Sequence, residues 1–138
     1  MQSNQSTLDI CPCNSEKEFS SCCGRYIGSK EHAPSAEAVM RSRYTAYVIG
    51  DMDHLIKTIP LLQRKGFDKR AALSWSKNAE WLGLEVIGVK EFEQGRKARV
   101  EFKAKYKIEG NEQLHHEIAL FEKTQNRWFF VDAKILNE

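Results

Sequence analysis

Outside one short segment the sequence has no cysteine, and it has few prolines and no long apolar run. The 138 residues include 3 prolines and 8 glycines, which excludes a collagen-like or a low-complexity disordered chain. No apolar stretch approaches the roughly 20 residues that cross a bilayer, so we predict no membrane insertion. Residues 1–7 lack the basic start and the apolar stretch of a secretory signal, which predicts a soluble, cytoplasmic protein.

The chain also has little excess charge of either sign. Lysine and arginine total 21 against 19 acidic residues, a formal net charge of +2. This near-balance excludes a strongly basic nucleic-acid-binding protein and an acidic tail. One predicted strand is the exception, with the outward residues Arg99, Lys103, Lys105 and Lys107. Because such a stripe is more often a solvated sheet face, contact with nucleic acid or the ribosome is the less favoured prediction.

All 4 cysteines lie in residues 11–23, as the close pairs Cys11/Cys13 and Cys22/Cys23. Structural disulfides of secreted domains join distant loops, and adjacent cysteines rarely bridge because the ring is strained. Structural zinc takes four such ligands in a tetrahedron, with no open position for catalysis. We therefore predict one structural zinc ion held by all four thiolates. A metal-free thiol or disulfide cluster is the alternative, and iron is disfavoured because the spacing is not of the iron–sulfur type.

The period of the apolar residues changes once along the chain. Three helical segments are predicted first. Ser35 caps the first, which ends at Gly50, and Asp51 caps the second. The third is predicted over residues 67–77. From about residue 80 the period is two, and turns separate four strands. This order predicts an α+β fold with helices packed on one face of an antiparallel sheet.

Alternation also predicts which strand residues face the helices. In the second strand Phe102, Ala104 and Tyr106 are expected inside, with the lysines between them in water. In the third strand His116 alternates in step with apolar neighbours, so it is expected inside as a hydrogen-bonded core histidine. His115 and Glu117 are expected to point the other way.

Arg43 lies at the centre of the apolar stripe of the first helix. An isolated buried charge costs several kcal/mol, so we expect a carboxylate from the sheet, Asp132 or Glu117, to pair with it. Under the first interpretation, Arg43 is a structural clamp between helix and sheet. Under the second, Arg43 with Tyr44 and Tyr47 lines a pocket for an anionic ligand.

The cysteine segment resembles a known motif. Cys11-Pro-Cys13-x-Ser15 followed by Cys22-Cys23-Gly24 is similar to the SEC-C motif at the end of the preprotein translocase ATPase SecA. The resemblance implies a small zinc knuckle that docks on a protein partner. Asn14, where the motif usually has glycine, is not a metal ligand.

The remainder of the chain resembles the YchJ family of small bacterial proteins. Four segments carry the resemblance: Met40–Tyr47, Asp53–Thr58, Glu80–Leu84 and Trp128–Asp132. The family pairs the knuckle with a domain like nuclear transport factor 2, a cone of helices on a curved antiparallel sheet. The implied organisation is a knuckle over 1–28 and the cone-shaped α+β domain over 35–138.

The predicted function is that of a zinc-binding adaptor or binding protein. The knuckle would dock on a protein partner, and the cone would bind a ligand or a second partner through candidate residues Arg43, Tyr44, Tyr47, His116 and Asp132. The alternative is an enzyme of unknown reaction that uses the cone pocket. A closed apolar interior would favour the adaptor, whereas an open cavity with converging polar side chains would favour ligand binding or chemistry.

Overall fold

Helices precede a four-stranded antiparallel sheet in the structure, a computed structural model that describes residues 10–136. The helices are α1 (Ala36–Ile49), α2 (Met52–Lys57) and α3 (Lys69–Asn78), and three short 3-10 turns cover Phe19–Ser21, Cys23–Arg25 and Leu61–Gly66. The strands are β1 (Ala79–Phe92), β2 (Lys97–Ile108), β3 (Asn111–Thr124) and β4 (Arg127–Ile135), in that spatial order. No helix within 10–136 is long and apolar enough to span a membrane.

Capping side chains define where the helices begin. Ser35 and Asp51 cap α1 and α2 as predicted, each accepting a hydrogen bond from a backbone N–H three residues later. Gly50 ends α1 in the left-handed conformation, with a φ of 82°. The third helix begins after the predicted start at Phe67, because the Asp68 side chain caps it and Phe67 itself is extended.

The predicted inner face of β2 is confirmed for Phe102 and Ala104, while Tyr106 is half-buried beside Trp75 and Trp81 and Lys103 is half-buried on the outer face. Ala98, Val100, Phe102 and Ala104 are buried against the helices, and the residues between them are half-buried or exposed. On the outer face, Glu85 and Glu80 of β1 lie opposite Lys103 and Lys107, so acidic residues interrupt the basic stripe.

β3 presents to the helices the face opposite to the predicted one. Glu117, Ala119 and Phe121 are buried, and Ala119 pairs with the buried Val100 of β2. Directly opposed residues in an antiparallel pair share a face of the sheet, so His116 lies outside. The prediction that His116 faces the core is therefore wrong. It failed because β3 has apolar residues on both faces, so alternation alone did not identify the inner one.

The cysteine segment packs onto the cone. Cys11, Cys13 and Cys23 are at most 2% exposed and belong to the same apolar cluster as α1 and the sheet. A hydrogen bond of 2.8 Å from Arg41 Nη1 of α1 to the carbonyl oxygen of Cys13 adds a polar link. The knuckle and the cone thus share one hydrophobic core.

Candidate metal centre and ligand cavity

The four cysteine sulfurs form a compact cluster. Their Sγ atoms all lie within 4.8 Å of one another, and Cys13 Sγ is 3.7 Å from Cys22 Sγ. A tetrahedral site with metal–sulfur bonds of about 2.3 Å has edges of about 3.8 Å, so this spacing suits one ion. All four are free thiols. The residues therefore fit a closed four-thiolate metal site.

Local backbone structure brings the two cysteine pairs together. The backbone N–H of Cys11 donates to the carbonyl of Lys17 at 2.8 Å, which closes the first loop. Cys22 then lies between two successive 3-10 turns. Gly24 is required behind it, because a Cβ there would lie 2.6 Å from the carbonyl oxygen of Phe19. Over residues 10–28 the sequence thus builds the knuckle from turns, with no regular helix or strand.

The thiolate is favoured at Cys13, whereas hydrogen bonds among the cysteines, together with burial, raise the pKa values of Cys11 and Cys23. The pKa of the Cys13 thiol lies well below its ordinary value, because Cys11, Cys23, Ser15 and Arg41 direct hydrogen bonds to it. Arg41 Nη1 lies 3.8 Å from Cys13 Sγ, on the side of the cluster formed by α1. Since the thiolate is the form that binds metal, these contacts prepare the site for a cation.

A second feature of the cone is a cavity of about 160 Å³ between the helices and the sheet, here called the aromatic cavity. Its wall is mostly aromatic and apolar, and it includes Tyr44, Tyr47, Trp75, Trp81, Phe102 and Phe130. Three ionisable side chains interrupt this wall: Arg43, His115 and Glu117. The interior of the cone is therefore an open cavity with converging polar groups.

Arg43 is fixed by the end of α2 and not by a carboxylate. Its Nη1 donates to the carbonyl oxygen of Leu55 at 2.9 Å and to Thr58 Oγ1 at 2.7 Å, and its guanidinium lies 4.4 Å from the centre of the Phe130 ring. Within residues 10–136 no acidic side chain forms an ion pair with it, so the predicted carboxylate partner is wrong. The carbonyl groups at a helix C-terminus lack helical partners and carry negative partial charge, so α2 takes that role.

Burial lowers the pKa of Arg43 to about 10, which leaves the guanidinium charged at neutral pH. Tyr47 and Glu117 oppose this shift. Of the five N–H donors of a guanidinium, only those on Nη1 form hydrogen bonds to a described residue. Arg43 therefore brings a positive charge and spare donors to the aromatic cavity.

Across the cavity, His115 and Glu117 form a pair on the inner face of β3. His115 Nε2 lies 2.6 Å from Glu117 Oε1, and the His115 ring packs against Trp75 and Phe102 at centroid distances of 5.5 and 6.0 Å. Sequence reasoning placed both residues on the wrong face. The two-residue turn Glu109-Gly110 could have corrected this, because it fixes the register that sets His115 opposite Ala104.

The structure brings together some of the other candidate residues and not all. Tyr44 and Tyr47 line the aromatic cavity with Arg43. His116 lies on the outer face of the sheet, where its Nε2 is 2.8 Å from Glu101 Oε2. Asp132 is exposed and accepts a hydrogen bond from the backbone N–H of Ala133. His116 and Asp132 therefore lie outside the aromatic cavity, in correction of the predicted pocket.

A cysteine knuckle followed by helices on an antiparallel sheet defines a protein of the SEC-C plus NTF2-like class. A sequence profile of the YchJ, middle NTF2-like domain matches residues 35–133, and one of the SEC-C motif matches residues 9–25. The chain belongs to the YchJ family. The UPF0225 protein NTHI0386 of Haemophilus influenzae is 36% identical over 129 residues, which cover 94% of this chain and 80% of that protein.

Solved structures agree with this assignment. RPA3114, a SEC-C motif containing protein from Rhodopseudomonas palustris, has 36% identity and a TM-score of 0.84, and the match covers 93% of this chain and 99% of that one. A SEC-C motif containing protein from Psychrobacter arcticus has 29% identity and a TM-score of 0.81, with 95% and 85% covered. The predicted membership of the YchJ family and the predicted fold class are both confirmed.

Proposed function

We propose that this protein is a zinc-containing binding protein whose aromatic cavity holds a small, mostly apolar molecule with a carboxylate group. The observation that carries the proposal is Arg43, a half-buried cation with spare donors in an otherwise aromatic wall. A cavity of about 160 Å³ has room for on the order of ten waters, or for a small organic molecule in their place.

A carboxylate suits Arg43 better than other groups do. Guanidinium and carboxylate pair through two parallel N–H···O bonds, and such charge-assisted bonds are stronger in a site shielded from water. The Nη1 bonds to Leu55 and Thr58 hold the guanidinium in one orientation, so little side-chain entropy is lost on binding. Trp75 and Trp81 offer ring faces and edges to the body of the ligand.

The cysteine knuckle has a separate role in this proposal. It holds one structural zinc ion through its four thiolates and docks on a protein partner, as the SEC-C resemblance implies. The support is the fit of the sulfur spacing to a tetrahedral ion. Cysteines kept as metal ligands and not paired as disulfides are typical of reducing compartments, which supports a cytoplasmic location.

A second candidate, an enzyme in the same cavity, has one observation in its favour. A histidine hydrogen-bonded to a carboxylate at 2.6 Å can act as a general base, and His115 and Glu117 form such a pair. A proton transfer to or from a bound carboxylic acid is the reaction class that this geometry would serve. The test of this candidate is exchange of ligand protons for deuterium, which His115→Gln should abolish.

The binding proposal is tested with benzoate, phenylacetate and indole-3-acetate, each compared with its uncharged amide. Tryptophan fluorescence reports on the aromatic cavity, because Trp75 and Trp81 line it. We expect at least one acid to bind, and its amide to bind about tenfold more weakly or worse. Equal binding of acid and amide would contradict the role of Arg43, and no binding of either would contradict the proposal.

Two variants identify the site. Arg43→Lys should lose acid binding, whereas Arg99→Lys, which removes a guanidinium at the same 4.4 Å from the ring of Phe92, should not. Because Arg43 also holds the end of α2, its replacement is expected to cost some stability. Ala119→Val therefore serves as a second variant. It reduces the volume of the aromatic cavity and leaves Arg43 in place, so it should also weaken acid binding.

A further inference from the structure

A second cavity lies where the knuckle joins the cone. It has a volume of about 220 Å³ and lies between residues 26–33, α1, α2 and the start of β4. Three cationic side chains, Lys57, Arg64 and Arg127, line it together with two histidines, His32 and His54. We refer to it as the basic cavity. We propose that the basic cavity binds a small molecule that carries a phosphate monoester group.

The positive charge of this cavity is not neutralised within the described residues. None of Lys57, Arg64 and Arg127 has a carboxylate within 4.0 Å in residues 10–136. Glu31 is the only acidic residue in the wall, and it pairs with Arg25. Three permanent charges thus share one concave site in a protein whose formal net charge is only +2. A concave site of one sign concentrates ions of the opposite sign.

Backbone carbonyls hold two of these cations in place. Lys57 Nζ donates to the carbonyl oxygens of Tyr26 and Ser29 at 3.0 and 2.7 Å. Arg64 Nε donates to the carbonyl of Ile59 at 3.1 Å, and its Nη2 to that of Lys57 at 3.2 Å. These bonds orient the side chains and leave their charges in place. An anion would therefore meet a site that is already organised.

A buried histidine provides an independent observation in the wall of the basic cavity. The Ser42 hydroxyl donates to the carbonyl of Val39 at 2.8 Å, so it accepts from His54 Nε2, 2.7 Å away. His54 Nδ1 is then a bare acceptor, and it is buried without a hydrogen-bond partner in residues 10–136. His54 is only 3% exposed, so the unpaired nitrogen is costly. The Ser42–His54 pair thus adds polar side chains to the wall of the basic cavity.

Phosphate suits the basic cavity better than a carboxylate does. A phosphate monoester carries a charge of about −1.5 to −2 at neutral pH and three acceptor oxygens, which match three cations. A carboxylate has one charge and two oxygens. At about 220 Å³ the cavity also has room for more than the phosphate group, which fits a hydroxyl-bearing ester.

The test is calorimetric titration of the full chain with ribose 5-phosphate, inorganic phosphate and sulfate in about 150 mM salt, where weak surface binding is screened. We expect saturable binding of ribose 5-phosphate, weakened about tenfold or more by Arg127→Gln. Arg127 is exposed at the start of β4, so this variant should keep its fold. Arg70→Gln, an exposed arginine of α3 that does not line the cavity, is the matched control.

The three ions separate the sources of the phosphate. Tighter binding of ribose 5-phosphate than of inorganic phosphate supports a phosphorylated metabolite, and equal binding supports the free ion as the ligand of the same site. Binding of sulfate as tight as that of both phosphates, equal losses in the two arginine variants, or no saturable binding would each overturn the proposal. Ala119→Val, which narrows the aromatic cavity and does not line the basic one, should leave the phosphate titration unchanged, so the two cavities are tested separately.

Discussion

The knuckle and the sheet are stabilised in opposite ways, although they share one core. The sheet has four long strands whose inward residues pack on α1, so apolar burial and backbone pairing hold it. In its described part, from residue 10 on, the knuckle has 3-10 turns and one bridge, between Ile10 and Glu18, and it gathers four thiols at its centre. A segment this small cannot bury enough apolar surface to fold alone, so we expect it to depend on the cone and on the metal ion that its four cysteines could hold.

The two regions are nevertheless not independent. A metal-bound segment of this size, taken alone, would be expected to unfold by itself when the metal is removed. The structure places three of the four cysteines in the cluster that α1 and the sheet also build. Loss of the knuckle would therefore expose part of the core of the cone. This connection is what metal removal should reveal.

The largest effect is expected from removal of the metal. Chelation or Cys13→Ser should release one zinc ion and unfold residues 10–25, since zinc supplies on the order of 10 kcal/mol to small modules of this kind. The cone should remain folded, with a lower melting temperature because its shared core is opened. Elemental analysis gives the metal, and hydrogen exchange with thermal melting gives the two structural effects.

The control for this experiment is Ser20→Ala, an exposed change within the knuckle. It should keep the zinc ion and the melting temperature. Purified protein that contains no metal, with its thiols paired as disulfides, would contradict the zinc site. An unchanged melting temperature of the cone after chelation would contradict the shared core.

A smaller effect on stability is expected from substitutions in the sheet, and it should differ between the two faces of β2. Phe102 is 6% exposed on the helix side of β2, so Phe102→Lys should destabilise the cone by several kcal/mol through an unpaired buried charge. Lys103 lies on the other face, and Lys103→Glu should change the free energy of unfolding by well under 1 kcal/mol. Urea unfolding measures both. Similar losses in the two variants would mean that the register of β2 is wrong.

Much of the fold and of the cysteine cluster was predictable from the sequence, because local rules determine both. Helix caps, the alternation in β2 and the cysteine pairs each depend on residues close in sequence, and each is confirmed. The interior of the aromatic cavity depends on pairing between strands. His115 was missed, and alternation placed Glu117 on the outer face although it was named as a partner for Arg43, because their face follows from the turn at Glu109-Gly110 and not from their own polarity.

The partner of Arg43 could not be predicted for a related reason. A helical wheel gives the direction of Arg43 but not what meets it, and backbone carbonyls at the end of α2 do not show in the pattern of charged residues. Acidic side chains were the visible candidates, so Asp132 and Glu117 were chosen. The bond is made by the main chain, whose position depends on how α2 packs.

The smallest predicted effect lies at the joint between the two regions, where His54 of α2 is buried beside α1. Burial, Lys57 and Arg43 lower the pKa of His54 to about 3, against an ordinary value of 6.5. Between these values the unfolded chain binds a proton that the folded chain does not. The contribution of neutral His54 is therefore complete above about pH 6.5 and is lost as the pH falls towards 3.

His54→Gln removes this titration while an amide can still donate to Ser42, 2.7 Å from the histidine Nε2. Relative to the variant, the natural protein should lose about 1.4 kcal/mol per pH unit as the pH falls from 6 to 4. Urea unfolding of both proteins across this range gives the difference, in which protonation of the thiolates cancels because both proteins share the knuckle. If the free energy of unfolding changed with pH in the same way in both proteins, the pKa of His54 would be the same in the folded and unfolded chains. The joint between knuckle and cone would then be open to water, and the buried acceptor in the wall of the basic cavity would not exist.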